Sequence, residues 1–113
     1  MSRKMSPEAQ AEKVALAVKL AERYLWHGHD NAMPRWRLAW LMKMDDRSVR
    51  ELLETARCAG VLVCNDQDGK GYYIAETEQE IARQYRRDKA RFLSIAKRLK
   101  PFRAAMKEAG LPT

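Results

Sequence analysis

The chain has 113 residues, 46% hydrophobic and 33% charged, which suits one small folded domain with an appended element and not two ordinary domains. Its net charge of +7 is uneven: residues 1–82 carry twelve Lys/Arg against thirteen Asp/Glu, whereas residues 83–113 carry ten against two. No apolar run approaches the ~20 residues of a membrane span, and two cysteines make no disulfide framework, so membrane and disulfide-rich secreted classes are excluded.

The N-terminal stretch "MSRKMSPEAQ" has basic residues with no apolar segment behind them, so no signal peptide is expected. A cytoplasmic location follows, with Cys58 and Cys64 as reduced thiols. Ser6-Pro7-Glu8 reads as a helix start, with Ser as cap, Pro at the first position and Glu against the dipole. Apolar residues at Val14, Ala17, Val18, Ala21, Tyr24 and Leu25 recur at three and four and predict one buried face, and Gly28 is expected to end this helix. His29-Asp30-Asn31 predicts a turn, Ala32-Met33 a very short extended piece, and Pro34 to Met42 a second helix. A third helix starts at Asp45 or Asp46, where a carboxylate can accept from open backbone N–H groups. It buries Val49, Leu52, Leu53 and Ala56, and Gly60 stops it. Val61–Cys64 and Tyr72–Ala75 flank "NDQDGKG" and predict a hairpin with a seven-residue loop. Both runs are apolar throughout, so period two does not say which face is inward. Thr77-Glu78-Gln79-Glu80 is a capping box that opens the last helix, and Pro101 is expected to kink or break it.

This order of elements (helix, short strand, two helices, two strands, helix) is the winged helix-turn-helix plan. The fold class expected is therefore mostly α with a small β-hairpin: a winged helix-turn-helix domain over residues 6–76, then a long basic C-terminal helix over 77–109. Within it, "LAWLMKMDDRSVREL" (Leu38 to Leu52) fits the helix-turn-helix spacing. Leu38 and the small Ala39 lie on its first helix, Met42 and Met44 flank the turn, and Val49 and Leu52 anchor the second helix. The turn position usually given to Gly is Lys43. The features "DRSVRELLETARCAG", "VLVCN" and "GYYIAETEQEI" running into a basic helix resemble the small winged helix-turn-helix proteins encoded by phages and prophages. The resemblance covers about Val14 to Lys100. It implies the fold and a mobile genetic element inside a bacterial cell, and it leaves the activity open, since members of the group are mostly unassigned.

On such a fold the third helix enters the major groove of duplex DNA. At 100° per residue, Arg47, Glu51, Glu54 and Cys58 lie opposite the buried stripe, with Arg50 and Arg57 on one flank and Ser48 and Thr55 on the other. Arg47 and Arg50 suit guanine, Glu51 a cytosine amino group, and Ser48 a base or a phosphate. Arg35, Arg37, Lys70 and Arg98 are candidate phosphate contacts. Asp45, Asp46, Glu51, Glu54, Asp66 and Asp68 oppose a polyanion, and they keep open a second reading: a protein-interaction module that inhibits a host nucleic-acid machine. Double-stranded DNA is the preferred partner, for a transcriptional regulator or a replication accessory.

Ile81, Tyr85, Asp88, Phe92, Ile95, Leu99, Phe102, Met106 and Ala109 are spaced alternately by four and three, an apolar seam interrupted only by Asp88. A homodimer through Tyr85, Phe92, Ile95, Leu99 and Phe102 is preferred over packing back on the first helix. Trp26, Trp36 and Trp40 are assigned to core or helix packing. His27, His29, Cys58 and Cys64 match no common zinc spacing. "DQDG" fails as a calcium loop because Cys64 and Ala75 take the first and twelfth ligand positions. With no nucleophile–base group and no phosphate loop, no cofactor and no enzyme activity are expected.

Overall fold

A computed structural model describes residues 5–113; the basic pair Arg3 and Lys4, part of the stretch read for an export signal, lies outside them. Helix α1 spans Pro7–Tyr24 and opens as its residues dictate: the Ser6 hydroxyl accepts from the Ala9 N–H at 3.1 Å. Its inward face is narrow and small, with Ala17 and Ala21 fully packed, so α1 lies close against helix α3 (Asp46–Cys58). The helix ends at Tyr24, with Leu25 already extended, three residues before Gly28. Gly28 does adopt positive φ, but in a different role. It leads into a single 3₁₀ turn, His29–Asn31, and its N–H donates to the Ile74 carbonyl at 2.9 Å. The need to pair with a strand, rather than to cap a helix, fixes that glycine.

Helix α2 spans Arg35–Met42, with Pro34 as its cap and Leu38 as its one fully buried side chain. Lys43 then takes the left-handed conformation (φ 55°). The Met44 N–H reaches the Ala39 carbonyl at 3.0 Å, and the Lys43 N–H reaches Trp40 at 3.4 Å, which together satisfy the open carbonyls of α2. Helix α3 follows directly. Its Val49, Leu53 and Ala56 are buried and Leu52 packs at the edge of the core. Asp45 occupies the cap position, and its carboxylate accepts from the Ser48 hydroxyl. Gly60 closes α3 by the same two-bond arrangement seen at Lys43, from Gly60 to Arg57 and from Val61 to Ala56.

Strands β1 (Val63–Asn65) and β2 (Tyr72–Ile74) pair antiparallel with Val63 opposite Ile74. The first strand therefore starts two residues later than the sequence suggests, and the loop between strands is Asp66–Gly71. Both faces are covered: Val63 and Ile74 enter the core, and Cys64 and Tyr73 are buried on the other side. Along its outer edge β2 is paired by the α1–α2 connection, through Trp26 and Gly28 to Ile74 and through Met33 to Tyr72. No backbone edge of this small sheet on that side is left as a template for another strand.

Helix α4 runs Glu78–Glu108, about 46 Å at 1.5 Å per residue. Of the kink or break expected at Pro101, the break does not occur: the helix continues through it. Proline removes one N–H at a solvent-exposed stretch, where the orphaned Lys97 carbonyl can be hydrated, and the helical bonds on either side of it outweigh that loss. Gly110 ends the helix at φ 71°, with the Leu111 N–H donating to Met106 at 2.8 Å. The chain divides into two compact units, Met1–Ile81 and Ala82–Thr113. The hydrophobic core lies entirely in the first. The second holds most of α4, whose large apolar side chains are exposed. No helix among the described residues is long and apolar enough to cross a membrane.

Candidate functional site

The exposed face of α3 is set by what its opposite face buries. With Val49, Leu53 and Ala56 turned inward, Arg47, Arg50, Glu51 and Glu54 are held outward. Arg47 Nε donates to Glu51 Oε1 at 3.2 Å, one turn away, and both side chains are exposed. Ser48 Oγ donates to Asp45, and that hydrogen bond is the chief reason the Asp45 carboxyl lies below its ordinary range. Arg57 is engaged structurally, donating to the Val63 carbonyl at 3.0 Å and to Glu54 at 3.4 Å, so it ties the end of α3 to β1. The side chains of Arg50 and Arg37 make no hydrogen bond or ion pair among the described residues. Both guanidinium groups are therefore free to meet an external anion.

Arg35 has a different environment. Its guanidinium pairs with Asp46, and Asp46 followed by the Tyr72 hydroxyl holds the Arg35 pKa above its ordinary value. It thereby links the start of α2, the start of α3 and strand β2, and it fixes the angle at which α3 is presented. A phosphate would have to compete with Asp46 for it. Arg37, two residues on, is exposed and unengaged.

The acids of the hairpin tip are also occupied. Asp66 accepts from the Tyr73 hydroxyl at 2.7 Å, and Asp68 accepts from the Lys70 N–H at 3.0 Å and pairs with His29 Nε2 at 2.6 Å. His29 stands edge-on to Tyr73, with ring centroids 5.8 Å apart. The hydrogen bond to Asp68, reinforced by the charges of Asp68, Asp66 and Asp30, raises the His29 pKa, and the same bond lowers that of Asp68. His29, Asp66 and Asp68 offer oxygen and nitrogen ligands within 4.8 Å of one another, but each is already hydrogen-bonded to protein. At the tip itself Lys70 projects into solvent.

No family model, no curated protein and no solved structure matches this chain. Its function has to be argued from its own surface chemistry.

Two features of that surface depart from what the sequence suggests. The tryptophans assigned to the core are outside it: Trp36 is 71% and Trp40 75% exposed, and Trp26 is more than half exposed. Trp36 and Trp40 lie one turn apart on α2 and line a shallow depression with Pro34 and Arg37. Spacing of four is the same for a core stripe and for an exposed one, and only the packing of Leu38 decides which face turns inward. The second is Glu80, the one buried charged residue among those described. The capping box forms as read, with the Glu80 N–H donating to Thr77 Oγ1 and Thr77 N–H to Glu80 Oε1, both at 3.1 Å. The same carboxylate also accepts from the Glu76 N–H at 2.7 Å and from the His29 N–H at 2.8 Å. A contact across 51 residues leaves no trace in local spacing.

On α4, Arg98 is exposed, as are Tyr85, Phe92, Ile95, Leu99 and Phe102.

Proposed function

We propose that the chain is a winged helix-turn-helix protein that binds duplex DNA, with α3 as the recognition helix and the β1–β2 hairpin as the wing. The observation that carries this reading is the unit α2–Lys43–α3. A tight left-handed turn joins two helices over a shared ridge of Leu38, Val49 and Leu53, and Arg47 and Arg50 stand on the opposite, exposed face. Arg50 is the leading base contact because it is unpaired. Arg47 can exchange Glu51 for guanine O6 and N7, which frees Glu51 to accept from a cytosine amino group. Arg37 serves a phosphate, as does the Ser48 hydroxyl once it leaves Asp45, Lys70 the groove edge beside the wing, and Arg98 the flanking backbone. Arg35 acts through Asp46 as a positioning residue. Of the acids that counted against a polyanion, Asp46 is paired with Arg35, Glu54 with Arg57, and Asp66 and Asp68 with His29. That weakens the objection. The setting, regulation or replication in a phage or prophage, rests on the family resemblance alone.

The test is selection from a random duplex library over a salt series. An enriched motif is expected, and Arg50→Ala should broaden it. Retention that is weak, salt-sensitive and without any motif would overturn the reading. The exposed Trp36–Trp40 pair favours the second reading, a protein partner on α2. In that case no motif emerges, and a nuclease-resistant protein partner is lost from a Trp36→Ala, Trp40→Ala variant.

A further inference from the structure

Helix α4 exposes more apolar surface than a lone helix should. Phe92 is 68% and Phe102 70% exposed, and Tyr85, Leu99 and Ile95 are exposed beside them. These residues follow a strict alternation of four and three, a 3.5-residue period. A straight α-helix has 3.6 residues per turn, so a 3.5-residue stripe drifts by about 20° per heptad, or roughly 80° over four. A flat lipid surface or a straight groove loses register with such a stripe, whereas a helix wound around it in a left-handed supercoil does not. The cover is therefore another helix.

Charge selects which helix. The positions flanking the seam are Ala82, Gln84, Lys89, Arg91, Ala96, Arg98, Arg103 and Ala105, four cations and no acid. These positions set partner choice in a supercoiled pair. A second copy in parallel register sets Arg98 against Arg103 across the interface, and it brings the two Asp88 carboxylates together inside the seam. An antiparallel copy likewise faces cations with cations. Among the described residues Asp88 is engaged only by Gln84, which donates to both its oxygens at 3.2 Å, an exposed arrangement that a cation from a partner can join. We propose that α4 is a docking helix for an acidic amphipathic helix of another protein, one with an apolar heptad seam, Asp or Glu along its flanks and a Lys or Arg to meet Asp88. This proposal is independent of DNA binding by α3. Arg86, Lys97, Lys100 and Lys107 lie off the seam and remain available to phosphates while the seam is covered.

The experiment uses the intact protein and three synthetic four-heptad peptides. The first has Leu along its seam, Glu on both flanks and one Arg aligned with Asp88. The second keeps the Leu seam with Lys flanks, and the third keeps the Glu flanks with a Ser seam. Light scattering should give the 13.1 kDa chain mass for the protein alone and a one-to-one complex with the first peptide. Binding of the Lys-flanked and Ser-seamed peptides should be at least tenfold weaker. Phe92→Glu and Leu99→Glu, at exposed positions, should each weaken the first complex at least tenfold with unchanged far-UV circular dichroism. A protein that is already dimeric overturns the proposal in favour of a second copy. Equal binding of the Ser-seamed peptide reduces the effect to general polyanion attraction and also overturns it. So does retention by vesicles of anionic phosphatidylglycerol in preference to the Leu-seamed acidic peptide.

Discussion

Lys43 sits at φ 55°, where a residue with a Cβ carries a penalty of about 1–2 kcal/mol that glycine avoids. Glycine gives back part of that gain by being freer in the unfolded chain, so Lys43→Gly should stabilise the domain by about 0.5–1 kcal/mol. A higher urea midpoint at unchanged slope is the expected record, and a lower midpoint would show that the lysine side chain contributes something the turn needs. Gly71 is the reverse case. Its φ is 108°, and a Cβ there would lie 2.0 Å from the Met33 carbonyl oxygen, in the double hydrogen bond between Met33 and Tyr72. Backbone, not a flexible side chain, blocks the space. Gly71→Ala should therefore cost more than about 2 kcal/mol, measured in the same denaturation experiment. Between them the two residues show how far spelling goes. That the turn after α2 demands a special residue was legible from the helix-turn-helix spacing. That Gly71 is needed for close approach of the distant Met33–Pro34 segment was not, because "GKG" reads equally well as a loose loop tip.

The elements are held at their junctions, and Glu80 is the principal one. Its carboxylate takes hydrogen bonds from the His29, Glu76 and Thr77 N–H groups, so one side chain joins the start of α4 to the connection between α1 and α2. Glu80→Ala strands buried donors and should destabilise the domain by about 2–4 kcal/mol, while Glu80→Gln, which keeps one acceptor oxygen, should lose less. Thermal unfolding of the two variants side by side tests that order. The second junction, His29 with Asp68, is titratable. The His29 pKa is raised from an ordinary 6.5, so its contribution is complete below 6.5 and is lost as pH rises through the raised value. Asp68 is lowered from 3.8, so its contribution is complete above 3.8 and fades as pH falls through the lowered value. The hairpin tip should thus be held most firmly between those two ordinary values and loosen in alkali. Faster exchange of the Gln67 and Lys70 amides above the His29 pKa, after correction for intrinsic rate, is expected in the native chain and not in His29→Ala. Helix starts were legible because caps are local: Ser6-Pro7 and the Thr77–Glu80 box each lie within one turn. Strand ends were not, since apolar residues at every position of Val61–Cys64 and Tyr72–Ala75 erase the alternation that marks a register. That Pro101 does not end the helix was not legible for a related reason, in that a local rule counts one missing hydrogen bond and not the 31-residue helix around it.

Across the whole molecule, charge and apolar surface are partitioned. The core belongs to Met1–Ile81, where cations and acids nearly balance, while the net positive charge belongs to the segment after it. For a protein that reads DNA this division separates two tasks, since phosphate contacts give affinity without sequence and base contacts give sequence with less affinity. The proposed division has a measurable consequence. Replacing Lys97, Arg98 and Lys100 by Ala should weaken binding to every duplex alike and reduce the slope of log K against log salt by up to about 0.9 for each phosphate no longer neutralised. Arg50→Ala should leave nearly all of that slope in place and narrow the gap between the preferred sequence and its single-base variants by about 1–3 kcal/mol. Measuring both variants on the same duplexes separates the roles. If the triple variant alters sequence preference, or Arg50→Ala changes only the salt slope, then the third helix is not the reading head.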